Sequence, residues 1–347
     1  MSTGPAAVAD MKIDNLPIAK SHLIQTIATA YGLQLSSVSF VPKGEDAFAY
    51  VGCEDSGNRY FIRVQPAANA PDLESIYLHL KVLAQHNHMA QVVAPLLTRG
   101  GAAVIPVDDY HLSIFPYIAG HTLYEQRPDE VDLENAAVLL AHLHQAPPAI
   151  LSLPRETFEH PFAAPIAAAL AAARRPLAQQ TSLQRAVCHL LTAEHEDILA
   201  TLTKMERLRT QIGARPIDWV LTHGDPNLDN VIKDEGGQLH LVDWGDMAIG
   251  PAERDLMHWT GEAFEPFLRQ YASLRPGLAL DADLFTFYFY RWCLQEIADY
   301  APRILFESLG AAEDAHAWDE LQDYLPIRHD SMAAGVQAVA AVMRRVL

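Results

Sequence analysis

The stretch His223-Gly224-Asp225-Pro226-Asn227-Leu228-Asp229-Asn230, followed by Leu239-His240-Leu241-Val242-Asp243-Trp244, carries the most information about this chain. Apolar runs predict short strands at residues 218–222, 231–232 and 239–243, and a glycine-rich turn joins the second strand to the third. A hairpin of this kind would bring Asp225, Asn230 and Asp243 to one end of a small sheet. Because Mg²⁺ prefers carboxylate, phosphate and water oxygens, the cluster suits magnesium and phosphate chemistry.

Turn formation is the simpler interpretation of the same acids and amides. Asp and Asn are common in turns because their side chains bond to nearby backbone, and Asn227 and Asp229 fit that role. The complete pattern is more constrained than a turn requires. It reads H-G-D-x-x-x-x-N, then a hairpin, then an apolar strand closed by Asp243, and it favours a functional site.

At these residues the chain resembles the aminoglycoside phosphotransferase and choline kinase family, whose members are related to the protein kinases. The resemblance implies that Asp225 is the catalytic base and that Asn230 and Asp243 are ligands of Mg²⁺. It also implies that His223 is a buried orienting residue. In the similar segment after the metal-binding Asp, it implies that Asp255 fixes the loop backbone.

The same resemblance implies a nucleotide-binding region nearer the N-terminus. ATP would be the phosphate donor, and GTP stays an alternative because base recognition at a hinge uses backbone atoms. The implied contacts come from a phosphate-covering turn and from the hinge, namely Lys43, Gly44 and Phe48 in the turn and Phe115, Tyr117 and Ile118 at the hinge.

One position departs from the kinase pattern. Kinases place a Lys on the third strand, where it contacts the α and β phosphates and pairs with a helix Glu. Here that strand has Arg63, and the partner candidate is Glu74. Arg is always charged and binds phosphate in a forked geometry, but it is not equivalent to Lys. Three hypotheses stay open: Arg63 does the work of the Lys, Lys43 supplies the cation, or the site is impaired and the chain is a nucleotide-binding pseudokinase.

The composition limits the partners that the chain is expected to bind. The formal net charge of −18 argues against nucleic acid, whose phosphates require basic patches. The same charge fits a cationic substrate, although solubility alone would also explain it. The apolar stretch at residues 163–173 is too short to cross a bilayer, so no membrane association is expected.

The cysteines and the N-terminus favour a cytoplasmic location. Cys53, Cys188 and Cys293 lie far apart in the sequence and make no metal-like spacing, which fits a reducing compartment. The first residues lack the basic start and apolar run of a signal peptide.

The acceptor is expected to be a small, cationic, hydroxyl-bearing molecule. Segments 46–62 and 251–257 are most similar to spectinomycin phosphotransferases, which implies an aminocyclitol antibiotic. Choline, homoserine, methylthioribose, sugar and macrolide kinases share the catalytic loop and stay alternatives. The acidic residues considered for binding an amino-bearing substrate are Asp246, Glu262, Glu296 and Asp299.

The predicted fold is an α+β, bilobal, protein-kinase-like fold. Residues 1–117 would form a nucleotide-binding lobe, an antiparallel sheet with one main helix, and residues 118–347 a larger, mostly helical lobe, with a hinge at residues 116–120. The predicted strands of the first lobe lie at 38–41, 47–51, 60–64, 102–107 and 111–117, and its helices at 18–31 and 71–86. The predicted helices of the second lobe lie at 131–145, 156–173, 183–212, 252–259, 264–274, 281–300 and 313–346.

Overall fold

The computed structural model describes residues 13–42, 47–69, 72–86, 89–147, 153–175, 180–307 and 310–347. Its internal contacts divide the chain into two units. The first comprises Met1–Arg155, Val220–Gly250 and Arg269–Pro276, and the second comprises Glu156–Trp219, Pro251–Leu268 and Gly277–Leu347. This division differs from the lobe boundary at residues 117 and 118, which stays a prediction.

A five-stranded antiparallel sheet forms the N-terminal part of the first unit. Its strands are β1 (Leu35–Val41), β2 (Phe48–Glu54), β3 (Arg59–Pro66), β4 (Ile105–Val107) and β5 (Tyr110–Pro116), in the order β1-β2-β3-β5-β4. Helices α1 (Lys20–Tyr31) and α2 (Leu73–Ala84) accompany it. The predicted sheet and helices are therefore confirmed, with ends displaced by a few residues.

Side-chain alternation gives this sheet two different faces. Ile62 and Val64 of β3 are fully buried and pair with Ile114 and Leu112 of β5, in one core with α1. Successive side chains of a strand point to opposite faces, so Arg63 projects from the other side. The alternation of buried apolar residues along β3 therefore determines that the Arg63 side chain points away from this core.

The segment around the catalytic pattern contains four short strands and not three, and a fifth strand from earlier in the chain pairs with them. They are β6 (Gly120–Thr122), β7 (Trp219–Thr222), β8 (Val231–Asp234), β9 (Leu239–Leu241) and β10 (Ala248–Pro251). The β8–β9 hairpin is confirmed and joins β6 in a three-stranded sheet. The expectation that β7 belongs to the same small sheet is wrong, because β7 pairs with β10 and the Thr222 hydroxyl donates to the Ala248 carbonyl (3.0 Å).

Backbone contact between β6 and β8 is unusually close at Gly120. In the register, Gly120 lies opposite Asp234. A Cβ at position 120 would lie 2.1 Å from the Lys233 carbonyl oxygen, a distance that real side chains do not reach. The glycine is therefore required by the pairing of β6 with β8.

Helices make up most of the remaining chain. They are α3 (Glu130–Gln145), α4 (Ala163–Arg174), α5 (Ser182–Ala193), α6 (His195–Gly213), α7 (Glu253–Leu256), α8 (Phe264–Leu274), α9 (Ala282–Pro302), α10 (Ala311–Tyr324) and α11 (His329–Val346). Within the second unit, α9 contributes Phe287, Leu294 and Ile297 to a core that also includes side chains of α4, α5 and α6. No helix in the described ranges has the length and apolar character needed to cross a membrane.

Three predicted helices are corrected by the structure. The helix expected at 183–212 is two helices, because Glu194 leaves helical geometry (φ −92°, ψ 5°) between α5 and α6. The helix expected at 313–346 is also divided, since Pro326 lies between α10 and α11 and has no N–H to donate. The helix expected from 156 begins at Ala163, because Pro161 disfavours helical geometry in the residue before it.

Glu253 supplies a pH-dependent contribution to stability in the second unit. Its buried carboxylate accepts the backbone N–H of Asp281 (2.7 Å), the residue that caps α9. Burial raises the pKa of Glu253 from 4.5 to about 7, against the effect of that hydrogen bond. The folded protein thus binds this proton more tightly than the unfolded chain, and stability should fall as the pH rises from about 4.5 to about 7.

Replacement of Glu253 by glutamine should remove this pH-dependent contribution to the free energy of unfolding. The amide oxygen can still accept the Asp281 N–H, and no charge has to be buried above neutral pH. We expect similar stabilities of variant and wild type at acidic pH, and a variant more stable by roughly 3 kcal/mol at alkaline pH. Urea unfolding across this pH range, with exposed Glu134→Gln as the control, measures it. Parallel pH profiles for Glu253→Gln and wild type would contradict the expectation.

Candidate active site

The loop between β7 and β8 holds the Asp225 carboxylate in place. The Asn227 amide donates to both carboxylate oxygens (3.0 and 3.1 Å), and the Asn230 amide donates to one of them and to the Asp225 carbonyl (3.0 and 2.9 Å). Asn227 also accepts the backbone N–H groups of Asp229 and Asn230, which begins a 3₁₀ turn. The sequence analysis predicted only a turn-forming role for Asn227. Its contact with the Asp225 carboxylate was missed, because an Asn that only forms a turn has the same sequence pattern.

His223 joins this loop to the end of β9. The side chain is fully buried, its Nε2 lies 2.9 Å from the Val242 carbonyl, and its Nδ1 accepts the backbone N–H of Asp225 (3.3 Å). Because Nδ1 is an acceptor and Nε2 faces a carbonyl, these contacts select the neutral tautomer with the proton on Nε2. The ring also packs on Trp244, with centroids 4.4 Å apart. His223 is therefore placed where an orienting residue is expected.

Asp243 combines an unusual backbone with an ion pair. Its φ of 58° lies in the left-handed region, which Asp tolerates better than most residues. Its carboxylate pairs with Nη1 of Arg63, 180 residues earlier in the chain, and the side chain keeps 44% of its exposure. The surrounding protein acts to raise the pKa of Asp243, but the Arg63 guanidinium and a hydrogen bond from the Gly245 backbone N–H outweigh it, so the pKa is lowered. The carboxylate is ionised at neutral pH.

The residues present fit a magnesium ion that shares its coordination with phosphate. Val231 pairs with Leu241, and the Val242 N–H donates to the Asn230 carbonyl (3.0 Å), so Asn230 and Asp243 come from adjacent strand ends. The Asn230 amide nitrogen is used toward Asp225, which leaves the side-chain oxygen as a metal donor. Among described residues no group of three or more His, Cys, Asp and Glu could hold a metal. Mg²⁺ suits such a sparse set because it takes one or two carboxylates and completes its shell with phosphate and water.

The expected pair between Arg63 and the α2 residue Glu74 is corrected by the structure. Glu74 accepts the backbone N–H groups of Ala103 (3.0 Å) and Val104 (2.6 Å), just before β4. Those N–H groups require acceptors, and a carboxylate satisfies two at once. The Arg63 guanidinium pairs instead with Asp243. The same contacts explain why β4 begins at Ile105 and not at residue 102.

The other predicted nucleotide contacts have mixed placements. Lys43 and Gly44 lie outside the described residues. The Phe48 side chain packs in the sheet core with its ring 6.2 Å from that of Tyr110, which corrects its expected place over the phosphates. Tyr117 is covered by the Arg59 guanidinium at 4.2 Å, and Tyr117 and Ile118 lie partly exposed between β5 and β6.

The predicted acidic acceptor-binding residues are not all brought together within one unit. Asp246 is exposed in the first unit. Glu262 and Asp299 are exposed and Glu296 is 9% exposed, all in the second unit. The second unit also contains Asp255, which is fully buried in α7. What the first unit does bring together is the set formed by Arg63, His223, Asp225, Asn230 and Asp243.

Comparison with known proteins agrees with this geometry. Residues 37–276 match the family described as APH, the phosphotransferase enzyme family. Protein StrN of Streptomyces griseus is 30% identical over 306 residues, which cover 84% of this chain and 88% of that protein.

Two solved structures are similar in fold. Spectinomycin phosphotransferase APH(9)-Ia, in complex with ADP and spectinomycin, has a TM-score of 0.75 at 17% identity and covers 93% of this chain and 99% of its own. Amicoumacin kinase hAmiN, in complex with AMP-PNP and Ca²⁺, has a TM-score of 0.58 at 15% identity and covers 89% and 95%. At these identities the likeness concerns the fold alone. Together with the family match over residues 37–276, it identifies this chain as a member of the APH phosphotransferase enzyme family.

Proposed function

We propose that this phosphotransferase transfers the γ-phosphate of ATP, in the presence of Mg²⁺, to a hydroxyl group of a small cationic molecule. The observation that carries the proposal is the Asp225 carboxylate fixed by two amides, with Asn230 and Asp243 on the adjacent strand ends. Phosphoryl transfer passes through a loose transition state, so a protein contributes mostly positioning and charge neutralisation. A rigid carboxylate beside two oxygen donors supplies both.

In the proposed mechanism Asp225 accepts a hydrogen bond from the acceptor hydroxyl. It orients that oxygen toward the γ-phosphate and takes the proton late in the reaction. The amides of Asn227 and Asn230 keep the carboxylate from rotating, and His223 holds the loop against the end of β9. Asn230 and Asp243 would hold Mg²⁺, which neutralises charge on phosphate oxygens.

Arg63 is the proposed cation for the nucleotide phosphates. It projects from β3, where the kinase Lys is expected, and its guanidinium already engages an anionic group, the Asp243 carboxylate. Parallel Arg63→Ala and Lys43→Ala variants separate the two hypotheses for this cation. We expect Arg63→Ala to raise the nucleotide KM by about tenfold or more, the value of a lost charge-assisted hydrogen bond, and Lys43→Ala to raise it less. The opposite order would assign the cation to Lys43.

The proposed acceptor is an aminocyclitol antibiotic of the spectinomycin type. The formal net charge of −18 favours a cationic acceptor, and the fold is similar to that of an enzyme solved with spectinomycin. Metabolite acceptors such as choline, homoserine or a sugar are the competing class. A cytoplasmic location also stays a prediction.

A panel assay tests the proposal. Purified protein is incubated with Mg²⁺ and either ATP or GTP, together with spectinomycin, aminoglycosides, choline, homoserine or sugars, and phosphate transfer is measured. We expect transfer from ATP to spectinomycin. Transfer to choline, homoserine or a sugar would support the proposed kinase activity and would assign it a different acceptor.

A nucleotide-binding pseudokinase is the second candidate. The Arg63–Asp243 ion pair favours it, because a guanidinium on the proposed metal-binding carboxylate would oppose metal binding if it could not be displaced. The fixed Asp225 carboxylate opposes it, since a protein without transfer activity has no need to hold this group. Tight nucleotide binding with no Mg²⁺-dependent transfer to any acceptor in the panel would establish the second candidate.

A further inference from the structure

The face of the sheet that carries Arg63 also carries a row of partner side chains. The register of β3 and β5 pairs Arg63 with Ser113 and Phe61 with Phe115. Because side chains alternate along a strand and cross-strand partners share a face, these four side chains lie on one side of the sheet. Arg63 reaches from this side to Asp243.

Tyr77 of α2 packs onto the same face. Its ring meets that of Phe115 edge to face, with centroids 5.2 Å apart, and the side chain is 1% exposed. Among the described residues its hydroxyl has no hydrogen-bond partner of good geometry, although Ser113 lies close to it. A buried hydroxyl without a partner is rare in native proteins and calls for an explanation.

The charges around the Tyr77 hydroxyl are those of the candidate active site. Burial raises the pKa of Tyr77, the Arg63 guanidinium acts in the opposite direction, and the Asp243 carboxylate adds to the rise. Glu74, one turn earlier on α2, is engaged by the backbone of Ala103 and Val104. Tyr77 thus reaches the Arg63 face from α2 and lies within electrostatic range of both charges.

We propose that Tyr77 is a positioning residue for the phosphate-binding cation. When nucleotide binds, the Tyr77 hydroxyl accepts a hydrogen bond from the Arg63 guanidinium, which it does not do in this structure, and holds the guanidinium toward the phosphates. In kinases a carboxylate on the corresponding helix pairs with the cation. This inference rests on the proposed function, because it requires that Arg63 contacts a nucleotide.

A phenol and a carboxylate would have different consequences for Arg63. A carboxylate neutralises the guanidinium, whereas the neutral Tyr77 hydroxyl leaves its positive charge available to phosphate. Asp243 is then the counter-charge of Arg63. A cation held by Asp243 would compete with Arg63 for this carboxylate and would leave the guanidinium available to the nucleotide. Affinity for Mg²⁺ and affinity for nucleotide should therefore be coupled through Arg63.

Tyr77→Phe tests the inference, because it removes the hydroxyl and keeps the ring that packs on Phe115. Nucleotide KM should rise by about three- to tenfold, the value of one hydrogen bond, while the acceptor KM stays unchanged. Calorimetry with a non-hydrolysable ATP analogue and Mg²⁺ should show the same loss of affinity. The variant should also melt at a higher temperature than wild type, because it no longer buries an unpaired hydroxyl. A purely structural tyrosine would not combine higher stability with weaker nucleotide binding.

Tyr50→Phe is the matched control. Tyr50 is also 1% exposed, but it pairs with Ile62 on the opposite face of the sheet, and its hydroxyl donates to Asp14 (2.6 Å). This variant should lose stability and keep its nucleotide affinity. Glu74→Gln provides the comparison with the kinase arrangement and should weaken nucleotide binding less than Tyr77→Phe does.

Two results would overturn the inference. One is unchanged nucleotide affinity in Tyr77→Phe, and the other is a larger loss of affinity in Glu74→Gln than in Tyr77→Phe. The binding measurements also separate this inference from the proposed function. If wild type binds the ATP analogue with Mg²⁺ and phosphorylates no acceptor, the proposed function fails, and the comparison of affinities still decides the role of Tyr77.

Discussion

Replacement of Asp225 by alanine is expected to lower turnover by about three orders of magnitude while nucleotide affinity stays within about threefold of wild type. The loss has two parts, because the acceptor hydroxyl loses the group that orients it and the group that takes its proton. Nucleotide affinity should survive because the proposed contacts to phosphate come from Arg63 and from a metal held by Asn230 and Asp243. Steady-state kinetics with saturating acceptor and calorimetry with an ATP analogue measure the two quantities.

Two further variants complete this test: Asp225→Asn isolates the basicity of the carboxylate, and Asp229→Asn is the control. Asp225→Asn keeps the shape of the side chain and removes its basicity, so its turnover should fall nearly as far. Asp229 is exposed in the same loop and follows Asn227 in the 3₁₀ turn, and its replacement should change turnover little. Turnover of Asp225→Ala close to that of wild type would exclude Asp225 as the base.

Replacement of Asp243 by asparagine is expected to lower turnover by about two to three orders of magnitude and to weaken the dependence of nucleotide binding on Mg²⁺. The amide removes a charged metal ligand and also the counter-charge of Arg63. Asparagine is the suitable replacement, because it tolerates the left-handed backbone of this position (φ 58°), whereas alanine would add strain. The loss of turnover in Asp243→Asn can then be assigned to the missing charge and not to backbone strain.

Magnesium titrations of nucleotide binding distinguish the two effects of Asp243→Asn. Released from its ion pair, Arg63 should bind nucleotide in the absence of Mg²⁺ at least as tightly as in wild type. Added Mg²⁺ should then strengthen binding less than it does in wild type. An unchanged response to Mg²⁺ would mean that the metal is held by other groups.

The local chemistry of the loop was largely predictable from the sequence. The Gly236-Gly237 turn between two apolar runs predicts the β8–β9 hairpin, which the structure contains. The buried place of His223 followed from the resemblance and agrees with the structure. Both depend on interactions between residues close in sequence.

The contacts that join distant parts of the chain were not predictable. Arg63 and Asp243 are 180 residues apart, and nothing in either segment indicates the other. The resemblance to kinases suggested Glu74 as the partner of Arg63, but it could not show that the backbone N–H groups of Ala103 and Val104 would bind the Glu74 carboxylate. Nothing in the sequence distinguishes Tyr77 from an ordinary core aromatic of a helix, because sequence does not show whether a buried hydroxyl has a partner.

Gly120 limits how this chain can change during evolution. The lack of room for a Cβ against the Lys233 carbonyl means that any substitution at position 120 would separate β6 from the strand that follows Asn230. Random mutagenesis with selection for activity should therefore recover glycine alone at position 120, while exposed Gln126, a few residues away, accepts many side chains. Position 120 would thus be among the least variable in the chain, although its residue has no part in the proposed reaction.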